Sequence, residues 1–227
     1  VIVQSKAKTI VSTNETSNCK GSNITLHGEL VGGSYGTSSY TFETYPYSPE
    51  PFTGGTLVTF GGDQDDQIAG PFNIGFDFCF LNQIYTEFYI GSNGWIGFTY
   101  NSNWTSYTPT PLPNNANSTP KNCIFAPWLD WWPNYGNSNN NLYYYVSGIT
   151  PNRRLVVYWI NCPMYNSACR YDPTKFGTFQ IVLNETTSVI ENHIQSKPIC
   201  GTEVATQGVQ NLAGTVAFTA TGRNQTI

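Results

Sequence analysis

Charge is scarce in this chain. Of its 227 residues only 11% are Asp, Glu, Lys or Arg, well under the usual quarter. Ten basic residues spread thinly and a net charge of −4 leave no basic patch, which argues against nucleic acid as a partner. Histidine occurs twice, and no Cys-x-x-Cys is present, so a zinc site is not expected. No apolar run approaches the roughly 18–20 residues needed to cross a bilayer as a helix. No segment shows ten residues of helical periodicity with caps. The start, Val1-Ile2-Val3-Gln4-Ser5, lacks the basic opening and cleavage site of a signal peptide. The end, Thr221 to Ile227, is polar and strand-like. The chain therefore reads as a segment of a longer polypeptide with its export signals elsewhere.

What is abundant is aromatic and small polar. Aromatics make up 15% of the chain, and Asn, Thr, Ser and Gly fill much of the rest. That is too aromatic for disorder and fits an extracellular β-protein with a polar, weakly charged surface. The most informative stretch is 71–98. Phe76, Phe78 and Phe80 alternate with Gly75, Asp77 and Cys79, the period-2 pattern of a strand with one buried face. Leu81-Asn82-Gln83 interrupts, Tyr85 to Ile90 resumes, and Ser92-Asn93-Gly94 predicts a type I′ hairpin. Trp95-Ile96-Gly97-Phe98 returns.

Further strands are predicted at Cys123–Pro127, Leu142–Val146, Arg154–Ile160, Phe176–Leu183, Ser188–Gln195, Val204–Gln210 and Thr215–Thr219. Leu155 to Ile160 is apolar on both faces, so it belongs centrally in a sheet covered on both sides. Residues 101–120 hold four prolines among Asn, Ser and Thr and predict a long exposed loop. The expected fold is an all-β, two-sheet antiparallel sandwich, jelly-roll-like, with long loops and disulfides. Residues 1–35 read differently, as the end of a preceding immunoglobulin-like module or as accessory strands; 36–227 form the main domain.

Six cysteines, at 19, 79, 123, 162, 169 and 200, favour disulfides in an oxidising compartment. Cys162 and Cys169 bracket a short loop between two strands and are the favoured pair. Cys79 with Cys123 is a second pairing, while the connectivity of Cys19, Cys79, Cys123 and Cys200 stays open. Cys79 also admits the reading of a buried thiol.

The blocks Gly70–Phe80 and Tyr85–Ile96, followed in order by Pro120–Ile124, Ala126–Trp131, Arg153–Trp159, Gly177–Thr187, Val189–Ile194, Gln207–Asn211 and Gly222–Asn224, resemble a module of large Bacteroidetes surface proteins. That module sits beside the gliding motility-associated type B sorting domain of the type IX secretion system. A looser likeness runs to nidogen-type extracellular domains. The resemblance implies a cell-surface adhesion factor, attached at the outer membrane, that meets the secretion machinery through a neighbouring sorting domain. It supplies no catalytic residues.

Three constellations carry candidate chemistry. Trp128, Asp130, Trp131 and Trp132, with Tyr135 in the Asn-rich loop beside them, have the indoles and carboxylate that stack on sugar rings and accept hydroxyl hydrogen bonds. The same segment fits, as the favoured reading, the end or rim of a sandwich core, with each indole N–H bonded to backbone. Asp63, Asp65 and Asp66 offer hard oxygens for Ca²⁺ without EF-hand spacing; a solvated acidic turn is the favoured reading. Glu191 and His193 share one strand face, yet no nucleophile motif accompanies them, and a solvent-facing or edge histidine is expected. Arg153-Arg154 predicts pairing with a sheet-end carboxylate. Six Asn-x-Ser/Thr sequons begin at Asn14, Asn23, Asn103, Asn117, Asn184 and Asn224; so Asn- and Thr-rich a chain produces several by chance. The expected function is adhesion to polysaccharide or a protein partner through loops 101–120 and 128–141. A ligand-free spacer is the structural rival, and an enzyme is not expected.

Overall fold

The alternation in 71–98 is realised as three antiparallel strands in a computed structural model. It describes residues 2–4, 8–13, 26–31, 39–61, 65–133, 135 and 141–226, the backbone alone for 2–31, 225 and 226. The strands are β1 (Ile2–Gln4), β2 (Lys8–Thr13), β3 (Leu26–Val31), β4 (Thr41–Glu43), β5 (Thr56–Leu57), β6 (Ile68–Phe80), β7 (Gln83–Gly91) and β8 (Trp95–Gly97). They continue with β9 (Cys123–Trp128), β10 (Leu142–Ser147), β11 (Arg154–Cys162), β12 (Gly177–Asn184), β13 (Ile190–Ser196), β14 (Ala205–Gln210) and β15 (Ala217–Thr226). No α-helix occurs among the described residues, and none there is long and apolar enough to cross a membrane.

Two antiparallel sheets pack face to face. The larger runs β4-β1-β13-β12-β11-β10-β5, the smaller β15-β14-β9-β8-β7-β6. Hairpin-linked strands β10 to β13 form the body of one sheet, and β6 to β9 that of the other. Of the segment 1–35, β1 joins the large sheet between β4 and β13, while β2 and β3 pair with each other. Phe76, Phe78 and Phe80 on β6 face Leu155, Val157 and Trp159 on β11 across one apolar core.

The two turns of 71–98 exchange roles. Leu81 and Asn82 both take left-handed φ, 47° and 66°, the signature of the two-residue hairpin turn. At Ser92-Asn93-Gly94 only Gly94 does, at 81°. The loop spans three residues between the paired Gly91 and Trp95, so it is the longer hairpin loop that ends on a left-handed glycine, not the expected type I′ turn. The difference has a cause: the Asn93 side chain is turned inward and used, as described below.

Both outer sheet faces are covered. Over the large sheet, Glu50 to Gly55 forms a strap. The Glu50 N–H donates to Gln180 Oε1 (2.8 Å), Gln180 Nε2 to the Glu50 carbonyl (3.0 Å) and Tyr158 Oη to the Gly54 carbonyl (2.6 Å). Beneath it Val156, Tyr158 and Val182 are buried, so β11 is central and covered on both sides. Over the small sheet runs 101–120, exposed along much of its length as expected but anchored to the sheet at several points. Trp104 and Leu112 pack on Trp95, Phe125 and Trp128. The amides of Asn224 and Gln210 pair with the backbone of Leu112 and Asn114. The loop's few apolar residues seal a second core.

The favoured disulfide is also corrected. Cys169 bonds Cys200 (Cα–Cα 6.2 Å), tying the loop after β11 to the chain leaving β13. Cys162 is a buried thiol in the inter-sheet core, left unpaired because Cys169 takes Cys200 as its partner. Cys123 is likewise a buried thiol, so the Cys79–Cys123 bond does not form. β7 and β8 separate β6 from β9, roughly 14 Å at about 4.8 Å per strand, beyond the about 7 Å that a disulfide can span. Cys19 lies outside the described residues.

Candidate functional site

The site is built around the turn at Asn93. Its side-chain oxygen accepts from the Trp131 N–H (3.1 Å) and its carbonyl from the Leu129 N–H (3.3 Å). Its Nδ2 donates to Asp66 Oδ1 (2.7 Å). One buried asparagine thus joins the acidic turn to the Trp-rich segment, which sequence spacing alone keeps apart. Ser92 adds to the joint, its Oγ accepting from the Gln67 N–H (3.0 Å).

The indoles divide by burial. Trp128 and Trp131 are completely buried, which corrects their reading as ligand-stacking rings. Trp128 Nε1 donates to the Ser106 carbonyl (3.0 Å), and Trp131 Nε1 to the Pro127 carbonyl (3.0 Å). Trp131 fills a slot between two glycines: a Cβ on Gly177 would stand 2.2 Å from its ring, and one on Gly94 would stand 3.0 Å away. These rings plug the core end with satisfied N–H groups.

Trp132 and Tyr135 behave differently. The Trp132 N–H donates to the Pro163 carbonyl, and the Tyr165 N–H to the Asp130 carbonyl, both 2.9 Å. This clamps the segment to the loop after β11. The Trp132 ring lies 4.5 Å from Tyr135 and 5.0 Å from Tyr165, and Tyr135 lies 5.8 Å from Tyr171, centre to centre. The Arg170 guanidinium stands 5.3–5.9 Å from all four rings, within cation–π range. Tyr165 and Tyr171 are 44% and 69% exposed. A hydrogen bond with Tyr171, then burial, raises the Tyr135 pKa, while the Arg170 charge opposes the rise. The Cys169–Cys200 bond sits beside Arg170 and pins this loop. Tyr165, Arg170 and Tyr171 escaped the sequence reading; the run Tyr165 to Tyr171 between two cysteines was the available signal.

Next to the platform Asp65, Asp66 and Asp130 bring one carboxylate oxygen each within 4.8 Å of one another. Asp63, the third expected member, lies outside the described residues. Burial, then the charges of Asp66, Asp65 and Glu203, push the Asp130 pKa up to about 8. Burial also raises Asp66, against the hydrogen bond from Asn93. Asp130 therefore keeps its proton at neutral pH, and the three side chains offer all-oxygen donors, the kind that calcium takes.

Glu191 and His193 form a structural network. Arg154 pairs with Glu191 (2.7 Å) and with Glu50. His193 Nε2 lies 2.8 Å from Glu191 Oε2. His193 is buried, which corrects the solvent-facing reading. Burial opposes ionisation of Glu191, but the bonds from His193 and Asn184 and the Arg154 charge outweigh it and bring its pKa down to about 2. Arg153 grips Glu185 with two nitrogens (2.6 and 2.9 Å), the sheet-end pairing expected of this Arg-Arg step. Two clefts also open. One, about 670 Å³, lies beside the strap with Phe52, Tyr143 and Asn161 in its wall; the other lies among β9, β13, β14 and β15.

Comparison with known proteins gives one match. A family model described as NIDO related covers residues 39–227. This agrees with the looser nidogen-type likeness and lends no support to the gliding and sorting-domain neighbourhood. No curated protein and no solved structure matches the chain.

Proposed function

We propose that this chain, which belongs to the NIDO-related family, is an extracellular, non-catalytic binding module that attaches a larger surface protein to polysaccharide. The observation that carries the reading is the ring platform of Trp132, Tyr135, Tyr165 and Tyr171 around Arg170. Exposed tyrosine faces stack on the C–H faces of sugars, and the phenol and guanidinium edges hydrogen-bond to hydroxyls. The platform is held on loops above a rigid sandwich, where binding residues usually sit. The disulfide supports an oxidising, extracellular setting. In a bacterial gliding adhesin exported by the type IX route through a neighbouring sorting domain, many weak contacts would sum by avidity. Calcium at Asp65, Asp66 and Asp130 belongs to this reading, as a brace beneath the platform.

The triad also stands near the roughly 5–5.5 Å separation of a retaining glycosidase pair. Against a catalytic role, the two clefts described lie elsewhere, with no carboxylate of the triad in their walls. The test is a polysaccharide array with the oxidised protein and its Trp132→Ala/Tyr171→Ala variant, with Tyr47→Ala as a distant exposed-aromatic control. Binding lost in the double variant and kept in the control is expected. Binding unchanged in the double variant overturns the platform. No binding by the folded wild type leaves the spacer role. Shortened glycan products would establish the enzyme instead.

A further inference from the structure

The cleft at β9, β13, β14 and β15 has a volume of about 470 Å³, within the range of small-ligand sites. Its walls separate by chemistry. Pro127, Ile194 and Ile199 bring aliphatic surface, Lys197 and Arg223 bring two positive charges, and buried Gln207 completes the lining. The blocks Gln207–Asn211 and Gly222–Asn224, distinct in the sequence, meet here.

Gln207 is the unusual member. It is 3% exposed, and neither its Nε2 nor its Oε1 has a hydrogen-bond partner among the described residues. An amide buried without partners destabilises a fold, and a leucine of similar size would avoid that cost. Such a group calls for a specific explanation. The charges are similarly uncommitted: among the described residues neither Lys197 nor Arg223 belongs to an ion pair. Burial lowers the Lys197 pKa, the Arg223 charge lowers it further, and Glu203 partly offsets both.

We propose that this cleft binds a carboxylate-bearing ligand about the size of one sugar or amino-acid residue, with the carboxylate between Lys197 and Arg223 and a hydroxyl or amide group on Gln207. Charge-assisted bonds from the two cations fix the anionic end. Gln207, with one acceptor and two donor hydrogens, reads the neutral polar group. The aliphatic wall covers the ligand's C–H surface. An acidic sugar and an acylated amino acid share this chemistry. The site is separate from the ring platform and does not depend on it.

The experiment is calorimetric titration of the oxidised protein with galacturonic acid, N-acetylalanine and neutral galactose, alongside Gln207→Leu and Arg223→Ala. At least one carboxylate is expected to bind and galactose not to; the one that binds identifies the source. Arg223→Ala should weaken binding at least tenfold. Gln207→Leu should lose binding while melting at a higher temperature, an opposition that a merely structural glutamine would not produce. If Gln207→Leu does not fold, exposed Arg223→Ala decides alone. Absence of binding by both carboxylates, equal binding of galactose, or wild-type affinity in the variants overturns the proposal.

Discussion

Replacing Asp130 with asparagine should make the protein more stable above neutral pH and flatten its pH dependence. The Asp130 carboxyl ordinarily titrates at 3.8, and in the fold burial and three neighbouring carboxylates push it up to about 8. Between those values the folded chain holds a proton that the unfolded chain has released. Stability therefore falls as pH rises through this window and levels off above the folded pKa. A full proton is worth about 1.4 kcal/mol per pH unit, so four units set a ceiling of roughly 5–6 kcal/mol. Asp130 is only partly buried, and water near it screens the repulsion. Carboxylate oxygens within 4.8 Å of one another repel, at that limit, by about 1 kcal/mol at water's dielectric and about 3.5 kcal/mol at an effective constant of 20. A loss of about 2–3 kcal/mol between mildly acidic and mildly alkaline pH is the figure these terms support. Urea denaturation across the window, in chelator, measures it for wild type and Asp130→Asn. The reasoning fails if the two proteins share one slope. Millimolar calcium supplies the second arm: it should raise wild-type stability most at high pH, where all three carboxylates are ionised, and leave Asp130→Asn nearly unmoved. Equal stability with and without calcium at high pH makes the triad a proton store and removes calcium from the functional reading.

Changing both Cys169 and Cys200 to serine opens a loop of 31 residues and should cost about 3–4 kcal/mol by chain entropy; tyrosine near-ultraviolet dichroism should fall with it, and an unchanged signal would separate the platform from its disulfide. Glu191→Gln should cost little at low pH and most at neutral pH. Its folded pKa of about 2, against 4.5 unfolded, gives stability that is present above the unfolded value and lost as pH falls toward the folded one. Acid denaturation that begins at the same pH in wild type and Glu191→Gln would contradict this.

The fold was legible where one residue type repeats with period two. Phe76, Phe78 and Phe80 mark a buried strand face without help from any distant residue. Leu155 to Ile160 marks a strand covered twice. The cysteine pairing was not legible, because proximity along the chain between Cys162 and Cys169 says nothing of which way each side chain faces, and the partner Cys200 arrives from another strand. The 101–120 loop was legible in part. Its composition is that of a solvated connection, but Trp104 and Leu112 are enough to fasten it to the sheet. The Trp-rich segment was legible as a place and not as a set of roles. Five residues, Trp128 to Trp132, carry three indoles, and only the sheet geometry decides that Trp131 enters the slot at Gly94 and Gly177 while Trp132 turns to the tyrosines.

That division of roles follows from the backbone. In an extended segment successive side chains point to opposite sides, so where Trp131 is drawn into the core its neighbours Asp130 and Trp132 are turned outward together. Asp130 then meets the turn carrying Asp65 and Asp66, which Asn93 has already fastened to the same segment. Trp132 meets the loop that the Cys169–Cys200 bond holds down. The acidic triad and the ring platform are therefore two outputs of one anchored tryptophan. A change at Trp131 should disturb both together, whereas a change at Tyr171 or Asp65 should disturb one alone.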